Sequence, residues 1–492
     1  MRESGILMHI TSLPGPYGIG TLGKEAFGFV DFLAAAGQRY WQLLPLNPTS
    51  FGDSPYQAVS SAAGNPYLID LDALVSQGLL TRQELEAVRW CDREDRVNYG
   101  ILYSRRYQIL RLAYGRFRPG ADYEVFCQEN HGWLPDYCLF MALKDAHGGA
   151  PWTQWPREEK LRCPEVLSQR RKELAEEIGF HCFLQYLFFR QWQALRQYAA
   201  EWGIQFIGDV PIYVPLDSVD VWQAPQLFQL DGEGLPTVVA GCPPDAFTAD
   251  GQLWGNPIYN WEAMEKEGFS WWLQRLKAAA GMYDVVRLDH FRGLESYWQV
   301  PAGEKTARNG TWVQGPGLAM VHALQQGLPG LRFIAEDLGY ITPGVQRLLV
   351  ESGYPGMKVL QFAFDSREES DYLPHLYSPN SVCYTGTHDN PPLAQWLEET
   401  SEKDLAMASA YLGLNSEEGY VWGLLRGGMS SVSQLFLAQI QDYLELGKEA
   451  RMNVPGLLSP ENWSWRAKPG FGSPALAARI RAMTALYGRL PG

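Results

Sequence analysis

The stretch DVVRLDH (284–290) decides how the rest of this sequence is interpreted. It is a short apolar run that ends in polar residues and lies between helical patterns, which is typical of a buried strand in a parallel sheet. Seven similar runs recur along the chain: GILMHI (5–10), YWQLLPL (40–46), IQFIGDVPI (204–212), LRFIAEDL (331–338), GMKVLQFAF (356–364), SVCYTGTHD (381–389) and ARMNVPG (450–456). Strands that alternate with helices form parallel sheets through right-handed crossovers, so eight units predict an α/β fold with a closed (β/α)8 TIM barrel.

Two gaps between these runs are longer than an ordinary βα unit. Residues 47–180 are mainly helical, charged and aromatic in pattern, and residues 213–283 are rich in Pro, Gly and Trp. Both follow the carboxyl end of a strand, so they predict inserted subdomains after strands 2 and 3, the second of them over the cleft, within a single catalytic domain of residues 1–492. A doubly wound open sheet is the structural alternative, but no GxGxxG motif follows the first run.

Composition excludes several classes of function. The formal charge of −14 argues against nucleic acid as a partner. No stretch approaches the roughly 20 apolar residues of a membrane span, and the first residues lack a signal-peptide pattern, so a cytoplasmic protein is predicted. Seven cysteines without a CxxC pair predict reduced thiols. The 18 Trp and 25 Tyr give some weight to a carbohydrate ligand, because sugar faces stack on aromatic rings.

Acidic residues stand at the ends of four predicted strands: Asp209, Asp289, Glu336 and Asp389. Strand side chains alternate, so Arg287 and Asp289 face the barrel interior together, and Glu336 does so on the next strand. Adjacent strands lie roughly 4.8 Å apart, which places the two carboxyl groups at about the 5 Å that a retaining glycosidase needs. The uncertainty of this spacing overlaps the inverting range, so inversion stays open.

The surroundings of these acids predict their roles. Arg287 would keep Asp289 ionised, as a nucleophile must be. The apolar residues before Glu336 would raise its pKa, which suits a proton donor. Asp389, beside His388, could bind sugar hydroxyls as the ring flattens toward an oxocarbenium ion.

A metal-dependent barrel hydrolase is one competing hypothesis, because each of three strand ends carries a pair of metal-binding residue types. Adjacent strand residues face opposite sides, however, so each pair supplies only one inward ligand. The first strand offers His9 alone, without an HxH motif, and His9 is predicted to be a hydrogen-bonded core residue. A carbohydrate-binding protein without catalysis would explain the aromatic residues but would leave the Arg287–Asp289 pairing without a purpose.

The chain also resembles a known family, the amylomaltases or disproportionating enzymes, which are 4-α-glucanotransferases of the α-amylase superfamily. The matching stretches are TSLPGPYGIG (11–20), FGDSPYQ (51–57), GNPYLI (64–69), GDVPIYV (208–214), PPDAFTADGQLWGNPIYNW (243–261), VRLDHFRG (286–293), AEDLGYITP (335–343), GMKVLQFAF (356–364), YTGTHDN (384–390) and NWSWR (462–466). They occur in family order along nearly the whole chain.

The resemblance implies a TIM barrel with inserted subdomains and no C-terminal β-domain. It implies Asp289 as nucleophile, Glu336 as general acid/base and Asp389 as transition-state stabiliser, with no metal or organic cofactor. The further residues that it implies for substrate binding are Tyr56, Asp209, Trp254, Arg287 and His388, together with Ser54 and Asn462 as weaker candidates.

The predicted reaction transfers α-1,4-glucan segments by a retaining double displacement. The predicted partners are maltooligosaccharides and α-1,4-glucans, with glucose as an acceptor and without nucleic acid or membrane. Hydrolysis by the same residues is the alternative, since composition does not decide whether sugar or water accepts the chain, and only the resemblance favours transfer. The sequence makes no prediction of the oligomeric state.

Overall fold

The computed structural model of the protein describes residues 2–244, 248–339, 341–367 and 369–492, with the side chain of residue 51 excepted. It contains twelve strands, numbered here along the chain: β1 (Glu3–Leu7), β2 (Tyr40–Gln42), β3 (Gln205–Val210), β4 (Val238–Cys242), β5 (Gln252–Pro257), β6 (Val285–Leu288), β7 (Ser296–Pro301), β8 (Thr311–Gln314), β9 (Arg332–Ala335), β10 (Gly356–Val359), β11 (Ser381–Tyr384) and β12 (Leu435–Gln439).

Eight of these strands close a parallel barrel. Around the barrel they follow the order β1-β2-β3-β6-β9-β10-β11-β12, and β12 pairs with β1 to complete the circle. Each strand is therefore adjacent to the next barrel strand in the sequence, as short βα crossovers require. The predicted (β/α)8 TIM barrel is confirmed.

The register of the barrel fixes the height of the side chains that its strands carry. Asp209 on β3 pairs with Arg287 on β6. Leu288, the last residue of β6, pairs with Ala335, the last residue of β9. The residues that follow these two, Asp289 and Glu336, consequently leave neighbouring strands at the same level.

The interior of the barrel is apolar below this level. Its core consists of alternating strand residues, and it includes Val285, two positions before Arg287, and Ile334, two positions before Glu336. Its members are Tyr40, Ile207, Val285, Ile334, Met357, Val359, Val382, Tyr384, Leu435 and Leu437.

The prediction of the eighth strand is wrong. The strand is β12, LFLAQ, whereas residues 450–456 lie in a 3-10 turn and a loop after it. The run contains apolar residues because Ala450 and Met452 belong to the hydrophobic core, not because it pairs in the sheet. A buried segment that makes no sheet hydrogen bonds gives the same apolar pattern in a sequence as a strand does.

In the described part of the chain, nineteen α-helices surround and extend the barrel. They are α1 (Lys24–Ala35), α2 (Leu71–Ser76), α3 (Arg82–Glu86), α4 (Tyr99–Arg116), α5 (Ala121–Glu129), α6 (Leu134–Ala146), α7 (Arg157–Lys160), α8 (Pro164–Glu173), α9 (Ala175–Glu201), α10 (Val219–Gln223), α11 (Trp261–Lys266), α12 (Ser270–Met282), α13 (Gly317–Gly327), α14 (Pro343–Ser352), α15 (Leu393–Glu399), α16 (Glu402–Leu412), α17 (Tyr420–Ser430), α18 (Ile440–Tyr443) and α19 (Pro474–Leu486).

Helix α14 illustrates how local sequence sets these boundaries. Thr342 caps its first turn by accepting a hydrogen bond from the Val345 amide, and Pro343 occupies the first helical position. Gly353 ends the helix at φ 68°, a left-handed conformation that glycine adopts without steric cost.

Inserted elements follow strands β2 and β3, as predicted. Helices α2 to α8 lie between β2 and β3, and four of the inserted helices pack on α9, which leads into β3. A separate antiparallel sheet has the order β5-β4-β7-β8. It combines two strands that follow β3 with two that follow β6, and the second pair is not predicted from the sequence. Among the residues that the structure describes, no helix is both long and apolar enough to cross a membrane.

Candidate active site

A buried ion network lies at the carboxyl ends of β3 and β6. One guanidinium nitrogen of Arg287, Nη1, donates to both carboxylate oxygens of Asp209 at 2.8 and 2.7 Å and to Oδ1 of Asp289 at 2.9 Å. Burial alone would lower the pKa of Arg287, but the carboxylates of Asp209 and Asp289 outweigh burial and raise its pKa well above the usual value. Arg287 therefore stays cationic and forms ion pairs with both acids.

Glu336 leaves β9 beside Asp289. Its two carboxyl oxygens accept hydrogen bonds from the amides of His290, at 2.7 Å, and Leu338, at 2.8 Å, which fix the orientation of the group. Burial, together with the charge of Asp289, raises the pKa of Glu336 to about 7. Glu336 can thus both give and take a proton near neutral pH.

The backbone between the two acids is held in an uncommon conformation. His290 has φ 50° and ψ 45°, a left-handed geometry that non-glycine residues rarely adopt. This conformation directs the His290 amide to Glu336, while its ring lies nearly perpendicular to Trp254 at a centroid distance of 4.9 Å. Trp254 lies on β5, so the antiparallel sheet contacts the segment that follows Asp289.

Three aromatic rings also border the ion network. The Tyr56 hydroxyl donates to Oδ2 of Asp209 at 2.7 Å, and its ring stacks on His388 at 5.1 Å and 17°. Trp463 contacts both rings at centroid distances of 5.8 Å. Burial and the charge of Asp209 raise the pKa of Tyr56 well above its usual value, so the hydroxyl remains a donor.

Asp389 is held by the segment that the sequence analysis assigned to a strand. Asn453 donates through Nδ2 to Oδ1 of Asp389 at 2.6 Å, and Arg451 donates to the Asp389 carbonyl at 2.7 Å. The ring nitrogen Nε2 of His388 lies 3.4 Å from the same Oδ1. The Asp389 side chain is 43% exposed, whereas those of Arg287 and Asp209 are 5% and 0% exposed, so its carboxylate is accessible to a ligand from the cleft.

A buried acid clamps both ends of the loop that carries His388 and Asp389. Asp442 follows β12, and its carboxyl oxygens accept hydrogen bonds from the Thr385 hydroxyl at 2.6 Å and the Leu393 amide at 2.7 Å. Its side chain is inaccessible to solvent, and burial raises its pKa to about 7. Asp442 therefore positions the loop without facing the cleft.

Removal of this clamp should weaken both the fold and the site. We expect Asp442→Ala to leave two buried donors without partners and to lower the free energy of unfolding by about 2 kcal/mol or more, measured by urea denaturation. We expect kcat/KM to fall with it, because Asp389 loses its position. Asp442→Asn is the matched control: its oxygen can accept from Leu393 and its amide can donate to the Thr385 hydroxyl. Equal stability of the two variants would contradict the clamp.

The structure thus brings together most of the residues implied for the site. The side chains of the other two, Ser54 and Asn462, instead bond to backbone groups. Asp289, Glu336, Asp389, Asp209, Arg287, His388 and Tyr56 are linked by the contacts above, and Trp254 reaches the site through His290. Ser54 accepts a hydrogen bond from the Tyr56 amide at 3.3 Å, so it supports the turn beneath that ring. The side chain of Asn462 bonds to the Val454 and Leu457 backbone and braces its own loop.

His9 differs from its prediction as a hydrogen-bonded core residue. It is buried at the end of β1, but its Nδ1 has no hydrogen-bond partner among the residues that the structure describes. Burial and the nearby His388 lower the pKa of His9 to about 3, which keeps its ring neutral.

Four residues of the site are not predicted from the sequence: Asn453, Arg451, Asp442 and Trp463. Only Trp463 had a signal, since it belongs to the NWSWR stretch.

The acidic and histidine side chains at the strand ends do not come close enough together to bind one metal ion. In the described ranges, one group of side chains comes close enough together to hold an ion, namely Asp145, Glu177 and His181 on α6 and α9. Arg111 already pairs there with Glu177. The strand-end geometry instead provides one carboxylate beside a cation and one carboxyl group with a raised pKa, which suits nucleophilic and acid/base chemistry at an acetal carbon.

Comparisons with known proteins agree with this chemistry. Residues 8–471 match the model of the glycoside hydrolase 77 family, described as 4-alpha-glucanotransferase. A 4-alpha-glucanotransferase from Clostridium butyricum is 47% identical over 98% of this chain and 100% of its own length. One from Thermus thermophilus is 48% identical over 99% of each. The solved amylomaltase from Streptococcus agalactiae in complex with acarbose superposes with a TM-score of 0.97 at 40% identity over 100% of both chains. The chain therefore belongs to the 4-alpha-glucanotransferase family.

Proposed function

We propose that this chain transfers α-1,4-glucan segments to the 4-hydroxyl of glucose or another glucan, with retention at the anomeric carbon. The observation that carries the proposal is the pair of Asp289, held beside Arg287, and Glu336, whose pKa is about 7. Family membership supports transfer over hydrolysis.

The reaction proceeds in two displacements. In the first, Glu336 donates its proton to the glycosidic oxygen while a carboxylate oxygen of Asp289 attacks the anomeric carbon, so the donor chain becomes a covalent ester and its reducing-end portion leaves. In the second, the now ionised Glu336 takes a proton from the acceptor 4-hydroxyl, which attacks the same carbon and releases Asp289. Two inversions give net retention.

The remaining polar residues hold the sugar during these steps. Asp389 and His388 lie together, and their carboxylate and ring nitrogen suit hydrogen bonds to hydroxyl groups of the ring as it flattens toward an oxocarbenium ion. Tyr56 and Trp254 offer aromatic faces for stacking. The acarbose complex of the structural relative supports an oligosaccharide as the ligand of this cleft.

Exclusion of water from the ester intermediate determines whether the chain is transferred or hydrolysed. We assign this task to the insertions of residues 47–180 and 213–283, within a single catalytic domain. Two contacts support this assignment. Tyr56 reaches Asp209 from the first insertion, and Trp254 reaches His290 from the second.

Incubation with maltotriose tests the function. Transfer conserves the number of glycosidic bonds, so we expect glucose and a ladder of longer oligosaccharides to form while the concentration of reducing ends stays constant. Chromatography follows the ladder, and a reducing-sugar assay follows the ends. Hydrolysis would shorten the chains and raise the reducing-end concentration steadily, which would contradict transfer. Binding without any new product would contradict catalysis altogether.

A further inference from the structure

Three cysteines from three different helices meet in the inserted helical region. Cys127 lies on α5, Cys138 on α6 and Cys182 on α9. The sulfur atoms of Cys127 and Cys182 are 3.5 Å apart although 55 positions separate the residues, and the Cys138 thiol hydrogen-bonds to Cys182. The sequence contains no close cysteine pair, so only the packing of the helices creates this cluster.

The polarity of the cluster favours one sulfur as a thiolate. Cys182 accepts hydrogen bonds from the thiols of Cys138 and Cys127 and from the Tyr123 hydroxyl. These bonds, chiefly that from Cys138, lower the pKa of Cys182 to about 6, while burial raises that of Cys127 to about 11. One sulfur is therefore a nucleophile at neutral pH, and its neighbour keeps its proton.

The cluster is open to a small reagent and can close further. Cys127 and Cys182 are both partly exposed. Helix α5 has no fully buried residue and packs on α9, so it lies at the periphery of the insertion. The sulfur atoms must approach from 3.5 Å to a bond length of about 2 Å, which requires only a small movement of this peripheral helix.

We propose that Cys127 and Cys182 are a redox-active thiol site, which forms a reversible intramolecular disulfide by exchange with a low-molecular-weight disulfide such as oxidised glutathione. The Cys182 thiolate attacks one glutathione sulfur and expels a glutathione thiolate, which leaves a mixed disulfide. Cys127 then loses its proton, attacks the Cys182 sulfur and expels the second glutathione thiolate. Two protein thiols are oxidised, and one glutathione disulfide is reduced to two thiols.

The disulfide would tie the periphery of the insertion to the barrel. It would join α5 to α9, the helix that leads into β3 and Asp209. Cross-linking residues 127 and 182 removes conformational freedom from the unfolded chain, so we expect the oxidised protein to unfold at a temperature several degrees higher. The catalytic side chains lie outside the cluster, so transfer from maltotriose should be nearly unchanged.

Peptide mapping of the full chain tests the proposal. Reduced protein is treated with oxidised glutathione, free thiols are blocked with iodoacetamide, and the protein is digested with trypsin and a glutamate-specific protease. Cleavage after Glu129 separates Cys127 from Cys138, which otherwise share a tryptic peptide. We expect two peptides linked through Cys127 and Cys182, with a mass lower by two hydrogen atoms than the sum of the reduced peptides. Dithiothreitol should separate them.

Variants assign the role of each thiol. Cys127→Ser and Cys182→Ser should abolish the linked pair, and Cys138→Ala should keep it but slow its formation several-fold, because the thiolate loses its main donor. Cys163→Ser, which removes a partly exposed cysteine outside the cluster, is the matched control and should form the link at the wild-type rate.

Measurements on the wild-type protein keep the proposal testable even if a variant fails to fold. At pH 7, iodoacetamide should modify Cys182 faster than the other six cysteines. A stable glutathione adduct on Cys182 without the internal link would overturn the proposal, as would a link between Cys138 and Cys182 or complete resistance to oxidised glutathione.

Discussion

Replacement of Asp289 by alanine is expected to lower kcat/KM for transfer from maltotriose by about 10⁴-fold or more, because no covalent intermediate can form without the nucleophile. The fold should survive, since Arg287 keeps its two hydrogen bonds to Asp209. Circular dichroism checks the fold, and initial rates of glucose release check the activity.

A small anion can distinguish the nucleophile from a residue that only holds the substrate. In Asp289→Ala, azide can occupy the space of the missing carboxylate and attack the anomeric carbon of α-maltotriosyl fluoride from that side. One displacement inverts the configuration, so we expect the β-glycosyl azide. Formation of the α-azide, or residual activity within tenfold of wild type, would contradict Asp289 as the nucleophile.

Elementary rules of strand geometry were sufficient to find the acids of the site. Arg287 and Asp289 share a face because strand side chains alternate, and the pairing of Leu288 with Ala335 places Asp289 level with Glu336. The pKa of Glu336 rises for the predicted reason, since the residues before it are buried strand residues. These predictions depend only on the local sequence pattern and on the fact that neighbouring parallel strands end at the same height in the barrel.

The supports of Asp389 could not be found in the same way. Asn453 and Asp442 reach its loop across 64 and 49 to 57 positions of sequence, through contacts that no local pattern records. The error in the eighth strand has the same origin. Ala450, Met452 and Asn453 are buried in a loop whose Arg451 and Asn453 contact Asp389, and this burial resembles that of a strand, while β12 is a run of only five residues.

The thiol cluster gives a third example of contacts that depend on tertiary structure. Cys127, Cys138 and Cys182 follow no spacing rule, and the odd number of cysteines favoured unpaired thiols. Their meeting point depends on how α5 and α6 pack against α9, which the periodicity of each helix alone does not determine.

Replacement of Glu336 by glutamine is the second change with a large expected effect. The amide keeps the shape of the side chain but cannot donate or accept the catalytic proton, so kcat/KM for maltotriose should fall by about 10² to 10⁴-fold. Asp337→Asn is the matched control. Asp337 accepts a hydrogen bond from the Met357 amide, and asparagine can do the same, so near-wild-type activity is expected.

The pH dependence of the wild-type enzyme tests the same residue independently. Glu336 must be protonated to assist the leaving oxygen, and its pKa is about 7 instead of the ordinary 4.5. The protonated fraction falls as the pH rises through 7, so kcat/KM should decrease about tenfold per pH unit above that value. Glu336→Gln should not show this decrease.

A donor that needs no proton separates the two steps. Fluoride leaves without protonation, so Glu336→Ala should form the Asp289 ester from α-maltotriosyl fluoride at a substantial rate. Azide, which attacks without a base, should then displace Asp289 and give the α-glycosyl azide, the opposite anomer from that of Asp289→Ala. The same anomer from both variants would show that the two carboxyl groups do not lie on opposite sides of the reacting carbon, and retention by double displacement would be wrong.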